Sequence, residues 1–327
     1  MFVSKTPYRI SFVGGGTDLP QWVAQHGGMV ISTTIDKYCY ITCRKLLPFF
    51  PYKHRLVYSQ TETVSCASQI QHPGMRGVFE FLKVEQNLEI HHDGDLPARS
   101  GLGSSSSFTV GLLNVIQALS GKVVNPGELA RDAIFVEQQI NKEIVGAQDQ
   151  VAASHGGFNK ILFLQDGNYQ VTPIPISSSD LCDLNDHLLL FYSGIQRRAP
   201  EIESTKIENL EQKVNQFTRI MELAIDAEKI LVSESFNPLH LGQLLHEGWQ
   251  LKRSLSDKVS NQHIDEIYAA GLGAGAIGGK ILGAGGGGFV MFLAEPNRHE
   301  AIRKALSRLV AVEFKFENKG SEVYRLQ

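Results

Sequence analysis
The chain has 327 residues, enough for two domains of ordinary size and a sizeable core. Its residues are 43% apolar and 20% charged with a formal net charge of −3, so nothing argues for general affinity for nucleic acid or a membrane surface. Four cysteines (Cys39, Cys43, Cys66, Cys182) form no CxxC pair and read as free buried thiols in a reducing compartment. The start, MFVSKTPYRISF, lacks the basic end and long apolar centre of a signal peptide, and the longest uncharged stretch, Ser100 to Gly121, is too polar for a membrane span. A cytoplasmic location is expected.

Strands are predicted in YRISFVGGG, GMVISTTIDKYCYITCR and LEIHHDGDL, all rich in Ile, Val, Tyr and Thr. The first runs into Gly14, Gly15 and Gly16, followed by Thr17 and Asp18. An acidic residue just beyond a glycine turn suits a sugar hydroxyl, and equally can satisfy the turn itself. A helix is predicted over about 103–120, with no charge anywhere from Ser100 to Gly121 and four serines at its mouth. Hydroxyls compete for backbone hydrogen bonds inside a helix, so their crowding there needs a reason. Gly101 and Gly103 allow a tight turn into a helix N-terminus, whose free N–H groups and positive dipole end can cradle a phosphate. Serine hydroxyls at that point can also reach a phosphate-bound magnesium ion. The alternative is a Ser-rich cap on a buried helix.

The next helix is predicted to start at NPGE, with Asn125 as cap, Pro126 in the first helical position and Glu128 completing a capping-box-like pattern. Plotted over 126–142 at about 100° per residue, Leu129, Ala130, Ala133, Ile134, Val136 and Ile140 form one apolar arc. Glu137 falls in the middle of it. A carboxylate on a buried face is costly unless paired or bound to a metal, and both readings stay open. In GAQDQVAASHGG, Asp149 falls in the first turn of a short helix ending at Gly156, either as a cap or as an ionised acid favoured by the helix dipole. SSSD at 177–180 marks a domain boundary. Beyond it come a strand (HLLLFYSG), helical patterns through 201–234, 238–255 and 262–272, a glycine-rich segment, a strand, a helix near 297–309 and two strand-like tails. KILGAGGGGFVMFL contains GxGxxG as Gly283, Gly285 and Gly288, but a strand follows where a dinucleotide site needs a helix. Ala274 and Ile281 exclude a Walker A loop around Lys280. A glycine loop between strands remains, useful where backbone must closely approach another loop or a phosphate.

Arg9 with Gly14–Asp18, then Pro97–Ser107, then Lys280–Gly288 stand in this order, and together they resemble the GHMP kinase superfamily over nearly the whole chain. PARSGLGSSSS is the most specific of the three. Within the superfamily, YRISFVGGGTDLP, TTIDKYCYI, LLHEGWQLKRSLS and GGKILGAGGGGF resemble the D-glycero-D-manno-heptose 7-phosphate kinases. The resemblance implies an α+β fold of two domains. Residues 1–180 would form an ATP-binding N-terminal domain similar to domain two of ribosomal protein S five, and residues 181–327 a ferredoxin-like C-terminal domain.

It further implies ATP and Mg2+ as cofactors. Pro97, Ser100, Gly101, Leu102, Gly103, Ser104, Ser105 and Ser106, with Gly285 and Gly286, would surround the nucleotide. Asp149 would be the catalytic base with Arg9 beside it, and Glu137 and Ser105 the magnesium ligands. Gly15, Gly16, Thr17, Asp18 and Arg197 would bind the substrate; Arg197, in SGIQRRAPEI, matches a G-x-x-R-x-A pattern of related heptose kinases. Ser106 and Ser107 stand where many relatives carry alanine. The implied activity is phosphorylation of the anomeric hydroxyl of heptose 7-phosphate to heptose 1,7-bisphosphate, feeding nucleotide-activated heptose for a surface polysaccharide. A neutral-sugar 1-kinase is the alternative within the fold, and a sugar sensor the alternative outside catalysis; Glu137 and Asp149 together favour an enzyme. The expected partner is a small sugar phosphate, with no nucleic acid or membrane, for a monomer or homodimer.

Overall fold
The computed structural model describes residues 1–196 and 199–326, and only the backbone of 199–201. Two sheets organise it. The larger has nine strands: β1 (Phe2–Val13), β2 (Gly28–Lys45), β3 (His54–Val57), β4 (Thr61–Val64), β5 (Leu88–Gly94), β6 (Phe158–Phe163), β7 (Tyr169–Pro173), and two late strands described below. β2 is the hub. It pairs antiparallel with β1 along its length, and on its other edge with β6 through its first half and β5 through its second. The smaller sheet is antiparallel, in the order β11-β8-β10-β9, built from β8 (Leu188–Tyr192), β9 (Gly278–Ile281), β10 (Phe289–Leu293) and β11 (Val310–Ala311).

The helices in chain order are α1 (Pro20–His26), α2 (Pro73–Phe81), α3 (Ser104–Leu119), α4 (Pro126–Phe135), α5 (Gln148–His155), α6 (Ser178–Asp186), α7 (Ala199–Glu208), α8 (Val214–Leu231), α9 (Pro238–Arg253), α10 (Gln262–Gly273) and α11 (His299–Ala305). α3 explains its own lack of charge. From Ser106 to Val115 every residue except Asn114 is buried, and the helix runs across β1 and β2 with α5 and α4 beside it. A helix covered nearly all round has no face on which to place a charge. Asn125 caps α4 as expected, accepting from the Glu128 N–H at 2.9 Å. Glu128, however, does not complete a capping box; its Oε1 takes Lys122 Nζ at 2.6 Å.

Three expectations need correction. The helical pattern through 201–234 is two helices, α7 and α8, separated by a 3₁₀ turn at Leu210–Lys213. Cys66 and Cys182 are exposed, and only Cys39 and Cys43 are buried. The two tails do not stay with the small sheet: β12 (Phe316–Glu317) pairs with β2, and β13 (Glu322–Arg325) pairs with β1. The end of the chain thus returns to the sheet where the chain began, although these residues lie within 181–327. No helix among the described residues is long and apolar enough to cross a membrane.

Candidate functional site
The end of β1, the loop into α3, the first turn of α5 and the glycine loop between β9 and β10 meet at one place. Arg9 joins the first three. It is 2% exposed, and its guanidinium forks onto Asp149, with Nε donating to Oδ1 at 2.7 Å and one terminal nitrogen to Oδ2 at 2.8 Å. The other terminal nitrogen donates to the Gly101 carbonyl at 2.7 Å, while the Arg9 main-chain N–H donates to the Leu102 carbonyl at 3.0 Å. A planar fork fits a carboxylate in two parallel bonds, and its remaining donor is free to hold the loop.

Gly103 has φ +74° and forms the N-cap of α3. A Cβ there would lie 3.2 Å from Arg9 Cγ and 3.4 Å from the Asp149 carboxyl carbon, so the turn that opens the helix sits against the acid. The α3 N-terminus therefore faces the same space as Asp149, and its unpaired N–H groups suit an anion.

The four serines divide by helical position. Ser104 Oγ accepts from the Arg99 N–H, Ser106 donates to Glu137 Oε2 at 3.0 Å, and Ser107 donates to the Pro7 carbonyl at 2.9 Å. Ser105, expected at the metal, is exposed. The helix turns it outward by a third of a turn, and Ser106 is the hydroxyl brought to Glu137.

Glu137 is buried, as its place in the apolar arc requires, but the backbone carrying it is not α-helical. Val136–Ile140 form a π turn, closed by the Asn141 N–H on the Val136 carbonyl at 2.9 Å. Gln150 Nε2 also donates to Glu137 Oε2, while Oε1 is buried with no hydrogen-bond partner. No cation pairs with it among the described residues. Burial, and the charge of nearby Glu143, push its carboxyl up to about 8. A buried carboxylate oxygen with an open lone pair, beside a serine hydroxyl, fits a hard cation that draws its other ligands from phosphate and water. Among the described residues no three His, Cys, Asp or Glu side chains are grouped to hold a metal alone.

Two expected sugar contacts are turned inward. Thr17 is fully buried; its hydroxyl donates to the carbonyls of Gly14 and Met29 and accepts from the Met29 N–H. Asp18 is spent on the chain's own donors, accepting from the Gly16 N–H at 3.0 Å and from both Gln148 nitrogens at 3.1 Å. Burial, then the charge of Asp149, raises the Asp18 carboxyl, with the N–H groups of Gln148 and Gly16 pulling the other way. Gly15 and Gly16 stay partly open, while Arg197 lies outside the described residues.

On the C-terminal side, Gly285 and Gly286 pack against Val259, and it is Gly288 that reaches the loop into α3. Its φ is +92°, and a Cβ there would stand 2.1 Å from the Ser100 carbonyl oxygen; the next N–H, of Phe289, donates to that oxygen at 3.0 Å. Pro97 is exposed on the loop, and Ser100 and Leu102 are fully buried.

Two further residues support the site, and the sequence assigned a role to neither. Lys280 is buried, with its ammonium donating to the carbonyls of Ser11 and Phe12 at 2.8 Å each, which pins β9 to β1. Burial, Arg9 and Lys206 push its pKa down to about 7. A lone Lys between glycines in GGKILG was the only hint. Glu143, the acid next to Glu137, lay beyond the apolar arc and gave none.

A helix N-terminus with open N–H groups, a carboxylate held by a fork to the loop before it, and a second buried carboxylate are the parts that phosphoryl transfer asks for. The GHMP kinases N terminal domain matches residues 66–157 and the GHMP kinases C terminal domain matches 234–311, together more than half of the chain. The chain belongs to the GHMP kinase family, and it is an ATP-dependent sugar kinase. It is 28% identical to the D-glycero-alpha-D-manno-heptose 7-phosphate kinase of Campylobacter jejuni, over 99% of this chain and 98% of that one. It is 25% identical to the galactokinase of Pyrococcus furiosus, over 96% and 95% of the two chains. Among solved structures, a D-glycero-D-manno-heptose 1-phosphate kinase from Bacteroides thetaiotaomicron superposes with a TM-score of 0.82 at 24% identity, covering 100% of both chains. That likeness confirms the two-domain α+β fold.

Proposed function
We propose that the chain transfers the γ-phosphoryl group of ATP to the anomeric hydroxyl of D-glycero-D-manno-heptose 7-phosphate, giving heptose 1,7-bisphosphate. The observation that carries the reaction is the Arg9 fork, which fixes Asp149 and the phosphate loop to one rigid group. Phosphoryl transfer asks little covalent work of a protein beyond alignment and charge neutralisation. Asp149 takes the proton of the anomeric hydroxyl, and the Arg9 charge stands beside the oxygen on which negative charge develops. The α3 N-terminus and the loop from Pro97 to Ser106 hold the ATP phosphates. Glu137 and Ser106 would hold Mg2+, with Ser105 on the adjoining exposed face, and the ion would supply charge neutralisation. Gly15 and Gly16 let the sugar approach the backbone of the first loop.

The heptose phosphate assignment is supported by the full-length similarity to the Campylobacter enzyme and by the GGGTDLP and LLHEGWQLKRSLS stretches. Arg197 is the proposed contact to the distal phosphate, since a forked cation suits that group. Work on ATP and a phosphorylated sugar belongs in the cytoplasm, where nucleotide-activated heptose is assembled. Incubation with ATP and heptose 7-phosphate, followed by phosphorus NMR, should show a new anomeric phosphate. Arg197→Ala should raise KM for heptose 7-phosphate by about 10-fold and leave that for ATP nearly unchanged. Equal activity on unphosphorylated heptose, unaffected by Arg197→Ala, would make it a neutral-sugar 1-kinase instead.

A further inference from the structure
Beside the Gly14–Gly16 turn, two buried polar side-chain atoms have no hydrogen-bond partner, Ser11 Oγ and Gln148 Oε1, and on α7 Glu203 Oε2 is another. Buried polar atoms in native proteins are nearly always satisfied, so such atoms mark a place where a ligand supplies the partners.

The direction of the Gln148 side chain is fixed by Asp18. The amide Nε2 donates to Asp18 Oδ1 at 3.1 Å, and the main-chain N–H donates to Oδ2 at 3.1 Å. Both Asp18 oxygens accept from N–H groups, so the amide nitrogen faces Asp18 and the carbonyl oxygen faces away from it. Gly15 lies over this amide. A Cβ at that position would be 3.4 Å from Ser11 Oγ, 3.6 Å from Gln148 Nε2 and 3.9 Å from Gln148 Oε1. Since Gln148 directly precedes Asp149 in the first turn of α5, whatever it binds is held next to the base.

Glu203 arrives from the C-terminal side, on α7. Its Oε1 takes the Lys206 ammonium at 3.0 Å, with the two side chains 13% and 2% exposed. Lys206 holds one oxygen and leaves the other.

We propose that Gln148 Oε1 and Glu203 Oε2 are the acceptors that read non-anomeric hydroxyls of the sugar, one from each lobe, with Asp18 and Lys206 as the positioning residues behind them. The ligand class is a polyhydroxylated ring, so the inference rests on the sugar-kinase assignment but on neither the heptose nor its distal phosphate. Asp18 is thereby moved from sugar contact to support for one.

The test uses the full-length enzyme with whichever sugar it turns over best. Glu203→Gln and Gln148→Met should each raise KM for the sugar by about 10- to 100-fold, as expected for loss of a hydrogen bond to a substrate hydroxyl, with KM for ATP within about 2-fold of wild type. Each variant should also lose, by a similar factor, its preference for the sugar over one particular monodeoxy analogue. Gly15→Ala keeps every hydrogen bond within the chain while setting a methyl group against the Gln148 amide, and should raise the sugar KM alone. If the other two variants fold poorly, the deoxy discrimination of Gly15→Ala decides the matter, because its KM alone would rise with any sugar held against Gly15. Folded variants whose sugar KM and deoxy discrimination match wild type, or whose ATP KM rises equally, overturn the proposal. A failure on heptose 7-phosphate with success on another sugar overturns only the heptose reading, because these comparisons are then made on that other sugar.

Discussion

Arg9 and Lys280 are both buried cations at the end of β1, and they do different work. Arg9 has a carboxylate partner and a geometric fork, so its charge is compensated in place. Among the described residues Lys280 donates only to two main-chain carbonyls, and burial, with the charges of Arg9 and Lys206, pushes its pKa down from 10.5 to about 7. Between those values the unfolded chain binds more protons than the folded one, so stability rises with pH across that window and is flat below it. The slope for one group is at most about 1.4 kcal/mol per pH unit. Urea midpoints measured from about pH 7 to pH 10 should climb in the wild type, and Lys280→Met should flatten the climb; an unchanged slope would show that another group sets it. Sequence made Arg9, Glu137 and Asp149 visible because a motif or an apolar arc made each conspicuous. It gave no sign of Gln148, Glu203 or Glu143, whose roles come from neighbours distant in the chain or from a local turn that no pattern marks.

The π turn at Val136–Ile140 shows why an element can be found while its detail is missed. An α-helical wheel through 126–142 puts Glu137 on the buried side, and so does the real backbone. A widened last turn adds one residue to the loop of the hydrogen bond without disturbing the apolar arc before it, so periodicity cannot separate the two. Such turns recur at functional sites, because they shift one side chain relative to its helix. Glu137→Gln keeps the shape and most of the hydrogen bonds, and should raise the magnesium concentration for half-maximal activity by at least about 10-fold with little change in melting temperature. A melting temperature far below wild type with an unaltered magnesium titration would make Glu137 a purely structural acid.

The glycine loop between β9 and β10 was recognised as a loop for close approach, yet which glycine makes the approach depends on the lobes' docking. At Gly288 both the φ of +92° and the 2.1 Å space to the Ser100 carbonyl forbid a side chain. Gly288→Ala should cost about 1–3 kcal/mol of stability from backbone strain and weaken ATP binding through the displaced phosphate loop. Nucleotide affinity measured by calorimetry checks this; an unaltered ATP affinity would mean the two loops are independent.

At the scale of the whole molecule, the two lobes are joined through the site itself. Phe289 N–H meets the Ser100 carbonyl, Lys280 meets Ser11 and Phe12, and β12 and β13 carry the chain end back to β1 and β2. These are contacts between residues hundreds of positions apart. Local patterns marked β1, β2, β5, β8, β10 and the longer helices, but not the short β3, β4, β6, β7, α1, α2 and α6; pairings at that separation leave no local trace at all, and the destination of the tails could be learned only from the fold. The consequence for the proposed function is that Asp149, the loop into α3 and the C-terminal glycine loop are tied together by these bonds, a preformed frame for aligning nucleotide and sugar. The claim at the centre of this frame is that Asp149 does chemistry and not binding. Measuring kcat of Asp149→Asn with ATP and heptose 7-phosphate, alongside its ATP dissociation constant and melting temperature, tests it directly. A folded variant that binds ATP like wild type while kcat falls by about 100- to 10,000-fold is the predicted result; turnover close to wild type would contradict the account.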